Sequence, residues 1–135
     1  MLRAIIIGIN QYRDEAISDL SFARADAEAV GSLIQERIRP SERHVRLLVD
    51  SDATKHNIVV SIGEDLARAA TSEDLVLLYF AGHGSPETGG SPDKVSRYFI
   101  AHDTEYRNIY ATGIDMDFEL TRWFERLTDA RLVFM

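Results

Sequence analysis

The chain has 135 residues, 45% of them hydrophobic and 27% charged, with a formal net charge of −7 and no cysteine. This composition fits one compact α/β-sized domain rather than a disordered or fibrous chain, and it excludes disulfides and thiolate metal sites within these residues. Lys and Arg are scattered and no apolar run approaches the roughly 20 residues of a membrane span, so neither nucleic acid nor membrane is expected as a partner, and a cytoplasmic protein is favoured.

In chain order, Ala4 to Ile9 is an unbroken apolar run that suits a central parallel strand covered on both faces. Leu20, Ala23, Ala27, Val30 and Ile34 then recur at three- and four-residue steps, the stripe of a helix that ends before Pro40. Val45 to Val49 reads as a second strand. Thr54 can cap the next helix, whose face is lined by Ile58, Ile62 and Leu66. Residues 75 to 81 form a third strand. From Ser85 to Ser96 the composition turns to Pro, Gly, Ser, Thr and charge and predicts an exposed loop. Arg97 to Ala101 reads as a short strand and residues 103 to 114 as a polar connection. Leu120, Trp123, Phe124 and Leu127 mark the buried stripe of a third helix, and Arg131 to Met135 begins a further strand. Alternating strands and helices imply right-handed crossovers and a mostly parallel sheet with helices on both faces, an α/β sandwich.

The third strand runs straight into Gly82-His83-Gly84. A titratable ring is thereby held at the carboxyl end of a rigid element, where sites in such sheets collect, and the flanking glycines admit substrate backbone. Other chemistries find less support. Gly8 has no companion glycines for a phosphate loop, and His44, His56, His83 and His102 sit in four separate segments with no metal-ligand spacing. His102-Asp103 is a second conceivable base with an orienting acid. A serine esterase would need a nucleophile better placed than Ser85, two residues from His83.

Three segments in this order carry a resemblance: Arg3-Ala4-Ile5-Ile6-Ile7-Gly8-Ile9-Asn10-Gln11-Tyr12, Leu20-Ser21-Phe22-Ala23-Arg24-Ala25-Asp26-Ala27, and Tyr79-Phe80-Ala81-Gly82-His83-Gly84. With Leu48-Val49-Asp50, Ala53-Thr54-Lys55-His56-Asn57-Ile58, Tyr98-Phe99-Ile100-Ala101-His102-Asp103 and Gly113-Ile114-Asp115-Met116-Asp117, the chain resembles the large-subunit region of caspase-like cysteine peptidases (family C14), especially metacaspases and their bacterial relatives. The resemblance implies a caspase-like three-layer α-β-α sandwich over residues 1–135, incomplete at its carboxyl end. In the family the next segment carries the nucleophilic cysteine in an Asp-x-Cys motif, so this sequence is expected to lack both that segment and the small-subunit region, and to be inactive alone.

The same resemblance assigns His83 as catalytic base and acid, and Gly84, through its backbone N–H, as part of the oxyanion hole. It matches Asp26 to the aspartate that helps form a basic-residue pocket, which implies cleavage after Arg or Lys. The rival for specificity is Arg24, which would favour acidic residues; the bland reading of Asp26 is a carboxylate complementing a helix dipole. No cofactor is expected. Calcium is the one candidate, since Asp115 and Asp117 partly match an acidic pair of the family, although the loop after His83 offers only Glu87 and Asp93 and helix capping explains the pair equally well. The expected partners are a protein or peptide substrate and the remaining part of the caspase-like domain. The alternative function is a caspase-like pseudoenzyme or regulatory module that binds partners without a nucleophile.

Overall fold

The computed structural model describes residues 1–88, 95–127 and 130–135, with Pro86, Glu87 and Thr88 described by their backbone alone. The chain runs β1 (Leu2–Gly8), α1 (Ala23–Arg37), β2 (Arg43–Val49), α2 (Lys55–Val60), a π-helical turn (Ser61–Leu66), α3 (Ala67–Ala69), β3 (Leu75–Ala81), β4 (Gly84–Thr88), β5 (Val95–Phe99), α4 (Ile109–Thr112), β6 (Ile114–Asp115), α5 (Met116–Arg126) and β7 (Arg131–Phe134).

The first, second, third and seventh strands form a parallel sheet in the order β2-β1-β3-β7. Its central strands read as continuous apolar runs because both faces are covered. On one face Ala4 and Ile6 pack with Ala27 and Ile34 of α1. On the other, Ile5 and Ile7 join Ile58, Ile62, Leu78 and Trp123, so that α2, the π turn and α5 make the third layer. Full burial of each such aliphatic side chain contributes about 1.5–3 kcal/mol. α1 approaches so closely that a Cβ on Gly8 would lie 2.4 Å from Ala27 Cβ and 2.7 Å from the Ala23 carbonyl, which only glycine permits. Thr54 caps α2 as the sequence predicts, its Oγ1 accepting the Asn57 N–H at 3.1 Å. The α-β-α architecture is therefore the one the resemblance implies.

Three local expectations change. The segment from Ser85 is not all loop: β4 pairs antiparallel with β5, and β5 with β6, in a second sheet of three strands. A ladder needs only backbone partners, so the Gly- and Pro-rich composition hides it; residues 89–94, the rest of the predicted loop, lie outside the described residues. The polar connection contains α4 and β6. Trp123 and Leu127 are buried and Leu120 partly so, whereas Phe124, on the flank of that stripe, is 41% exposed. Among the described residues no helix is long and apolar enough to cross a membrane.

Candidate active site

The parallel register sets Gly8 abreast of Ala81, and the ladder continues one step as the Ile9 N–H donates to the Ala81 carbonyl at 3.0 Å. The loop after β1 and the turn after β3 are thus neighbours, and Tyr12 from the first meets Gly82 and His83 of the second. A Cβ on Gly82 would lie 3.2 Å from both Tyr12 Oη and Phe99 Cζ. The phenol oxygen accepts the His83 backbone N–H at 3.0 Å, and the two rings stand 5.2 Å apart. Burial raises the Tyr12 phenol above its ordinary range, with the nearby Asp50 and Asp19 adding to this and the His83 N–H opposing it.

His83 Nε2 lies 2.7 Å from the Ser18 carbonyl oxygen. A carbonyl only accepts, so Nε2 carries a proton, and in the tautomer this bond selects the lone pair is on Nδ1. Nδ1 meets no hydrogen-bond partner among the described residues. The ring is half-exposed and its orientation is fixed by main chain rather than by a carboxylate.

The loop that supplies Ser18 is tied down from several sides. Asp50, one residue past β2 and at a left-handed φ of 45°, accepts the N–H groups of Asn10 at 2.8 Å and Gln11 at 3.1 Å, and the Arg24 guanidinium at 3.0 Å. Burial pushes its pKa up, but these donors together outweigh burial and hold the carboxyl below the usual range. Asn10 in turn accepts the Leu20 N–H through its carbonyl and the Arg24 N–H through its side chain. Asp19 accepts the Tyr12 N–H, and His102 donates from Nδ1 to the Gln11 carbonyl at 2.7 Å. His102 therefore holds the loop, while Asp103 accepts the Lys55 N–H at the start of α2; the two do not form a base with its orienting acid. Arg24 is engaged by Glu28 and Asp50. Sequence reasoning gave no role to Tyr12, Ser18 or Asp50.

Gly84 opens β4 opposite Phe99. Because the Ile100 N–H donates to the His83 carbonyl at 2.9 Å, Gly84 and Phe99 form a non-hydrogen-bonded pair of the antiparallel ladder, and the Gly84 N–H is directed away from β5. His83 and Gly84 border a cleft of ≈ 250 Å³ whose other walls include Ile17, Ile100, Ile109 and Tyr106. The structure brings these two predicted site residues together there. Asp26 is exposed in the first turn of α1 and is not among the residues lining that cleft.

A calcium site is not assembled among the described residues. Asp115 caps α5 by accepting the Phe118 N–H at 3.0 Å, Asp117 lies 3.7 Å from Arg97, and no group of three or more metal-ligating side chains occurs. Asp93 lies outside the described residues, as does the side chain of Glu87.

The family profile described as the caspase domain, of peptidase family C14, matches residues 1–126. No curated protein matches. Among solved structures, protein GSU0716 from Geobacter sulfurreducens is similar, with 22% identity and a TM-score of 0.79 over 98% of this chain and 48% of that one. Likeness at that identity is a likeness of fold, and the chain spans about half the length of that structure.

Proposed function

The chain belongs to the caspase domain family, and on that premise we propose that it carries the base half of a cysteine-type endopeptidase. In this reading His83 is the general base and acid, Gly84 donates to the oxyanion, and the nucleophile is a cysteine in the segment following Met135. The observation that carries the proposal is the Nε2–H bond to the Ser18 carbonyl, which leaves Nδ1 as the proton acceptor. Two others support it. The Gly84 N–H is directed away from β5. The Met135 N–H donates to Leu78 and the Phe80 N–H to Met135, both at 2.9 Å, so a continuation of that ladder would bring the following positions level with Ala81 to His83.

The chemistry then runs as acyl transfer. His83 Nδ1 takes the thiol proton, the sulfur bonds to the substrate carbonyl carbon, and the resulting oxyanion accepts from the Gly84 N–H, a contact worth about 3 kcal/mol. Collapse breaks the C–N bond while the imidazolium gives its proton to the departing amine. Water, deprotonated by His83, cleaves the thioester to release the acid and restore the thiol. Asp26 is proposed to select Arg or Lys before the scissile bond, since its exposed carboxylate meets no hydrogen-bond partner among the described residues. β7 is one edge of the described sheet, and the small-subunit region is the proposed partner for that edge.

In the full-length protein, His83→Ala is expected to lower peptide cleavage by about 100- to 10,000-fold with unfolding unchanged. Retained cleavage near the wild-type rate rejects the assignment. A full-length sequence without cysteine just after β7 replaces it with the pseudoenzyme reading. Asp26→Asn is expected to weaken preference for Arg and Lys; a wild-type preference for Asp before the cut reverses that part of the proposal.

A further inference from the structure

The cleft beside His83 has an uncharged lining in a chain whose formal net charge is −7. Ile17, Ile100 and Ile109 form its apolar walls and Tyr106 stands at its rim, and none of the described residues lining it bears a carboxylate, guanidinium or ammonium group. A charged side chain entering it would lose water and gain no ion-pair partner from the residues lining it, whereas an apolar one would gain by burial. The walls are also fixed before any ligand arrives. Asp14 joins two of them, its carbonyl accepting the Ile17 N–H at 3.0 Å and its carboxylate the Tyr106 N–H at 2.8 Å. Ile100 is anchored to the His83 carbonyl.

Strand order tells which part of a substrate reaches this cleft. β3 lies between β1 and β7, and His83 follows β3. If the nucleophile comes from the β7 side, as the peptidase reading above requires, attack takes place between His83 and β7. Residues 16 to 18 of the cleft wall belong to the loop after β1, on the opposite side of the ring. The imidazolium must reach the departing amine, so the departing half of the substrate passes the ring toward that side. We propose that the cleft is the subsite for the residue immediately after the scissile bond, and that it selects a branched aliphatic or aromatic side chain. This inference rests on the peptidase reading, but its chemistry is separate from any selection by Asp26 of the residue before the bond.

The test uses the full-length protein and a peptide pool with Arg fixed before the cut and every residue after it, read by mass spectrometry. Leu, Ile and Phe are expected to exceed Gly, Asp and Lys by about 10- to 100-fold in kcat/KM. Ile109→Glu is expected to shift the preference toward Lys and Arg, and Ile17→Glu, on a different wall, to do the same should Ile109→Glu fail to fold. Equal cleavage whatever residue follows the cut overturns the subsite and leaves the peptidase standing. A binding readout separates the two ideas further. Leucinamide, a minimal departing amine, is expected to shift the His83, Ile100 and Ile109 resonances at concentrations where glycinamide does not. Identical shifts overturn the subsite; selective leucinamide binding by a protein that cleaves no peptide upholds an apolar amine site and rejects the peptidase.

Discussion

Replacing Asp50 by Ala should loosen the whole loop that orients His83. The carboxylate accepts the backbone N–H groups of Asn10 and Gln11, and its removal leaves both donors in a partly buried loop without that acceptor. Each orphaned donor costs about 1–3 kcal/mol. The Arg24 pair adds little, because that guanidinium is half-exposed and keeps Glu28. Ala also tolerates the left-handed φ of 45° less well than Asp, a further cost of about 1 kcal/mol. The sum is about 3–7 kcal/mol for Asp50→Ala. Asp50→Asn retains an acceptor oxygen and the backbone tolerance and should lose about 1–2 kcal/mol. Urea unfolding at pH 7 measures both. Because the folded-state pKa of Asp50 is depressed, its charge stabilises the fold fully above the ordinary carboxylate range, and that contribution is lost as pH falls through the lowered value. The gap between wild type and Asp50→Asn should therefore close in acid. In Asp50→Ala the His83 Nε2–H resonance should lose its protection as the Ser18 carbonyl is freed. An Asp50→Ala protein within about 0.5 kcal/mol of wild type, or an Asn gap that does not narrow in acid, would refute the reasoning.

Tyr12→Phe removes the acceptor of the His83 N–H and should cost about 1–2 kcal/mol by urea unfolding, with faster exchange of the His83 amide and a lower kcat at unchanged KM in the full-length protein. Gly8→Ala should be tolerated poorly, since its Cβ meets Ala27 Cβ and the Ala23 carbonyl well inside contact distance; a loss of about 1–3 kcal/mol in thermal or urea unfolding is expected, against no loss if α1 can slide outward.

What the sequence disclosed depended on whether a role belongs to a residue type or to main chain. β1 and β3 were legible because strands covered on both faces must be apolar throughout, and Ala4, Ile5, Ile6 and Ile7 satisfy both layers. The stripe of α1 and the Thr54 cap were legible for the same reason: periodicity and capping chemistry are written in side chains. β4 was not, because its partners are backbone groups of β5 and its own residues carry turn composition. Phe124 obeyed a helical spacing yet sits 41% exposed on the edge of a stripe that Trp123 already fills.

The site divides along the same line. His83 announces itself by type and by its place at a strand end, but the group that sets its tautomer is the carbonyl of Ser18, and every residue owns a carbonyl. The signal that could have found it lies one step back, in the acceptors that shape the loop: Asn10, Asp19 and Asp50 all bind main-chain N–H groups of residues 10 to 24. An acidic residue at the end of a strand, next to a loop that must hold one fixed shape, is the pattern expected when backbone rather than side chain orients an imidazole. Asp50 fits that pattern in this chain, and its substitution is the most direct way to ask whether a main-chain carbonyl can do the work that a carboxylate does in a catalytic triad.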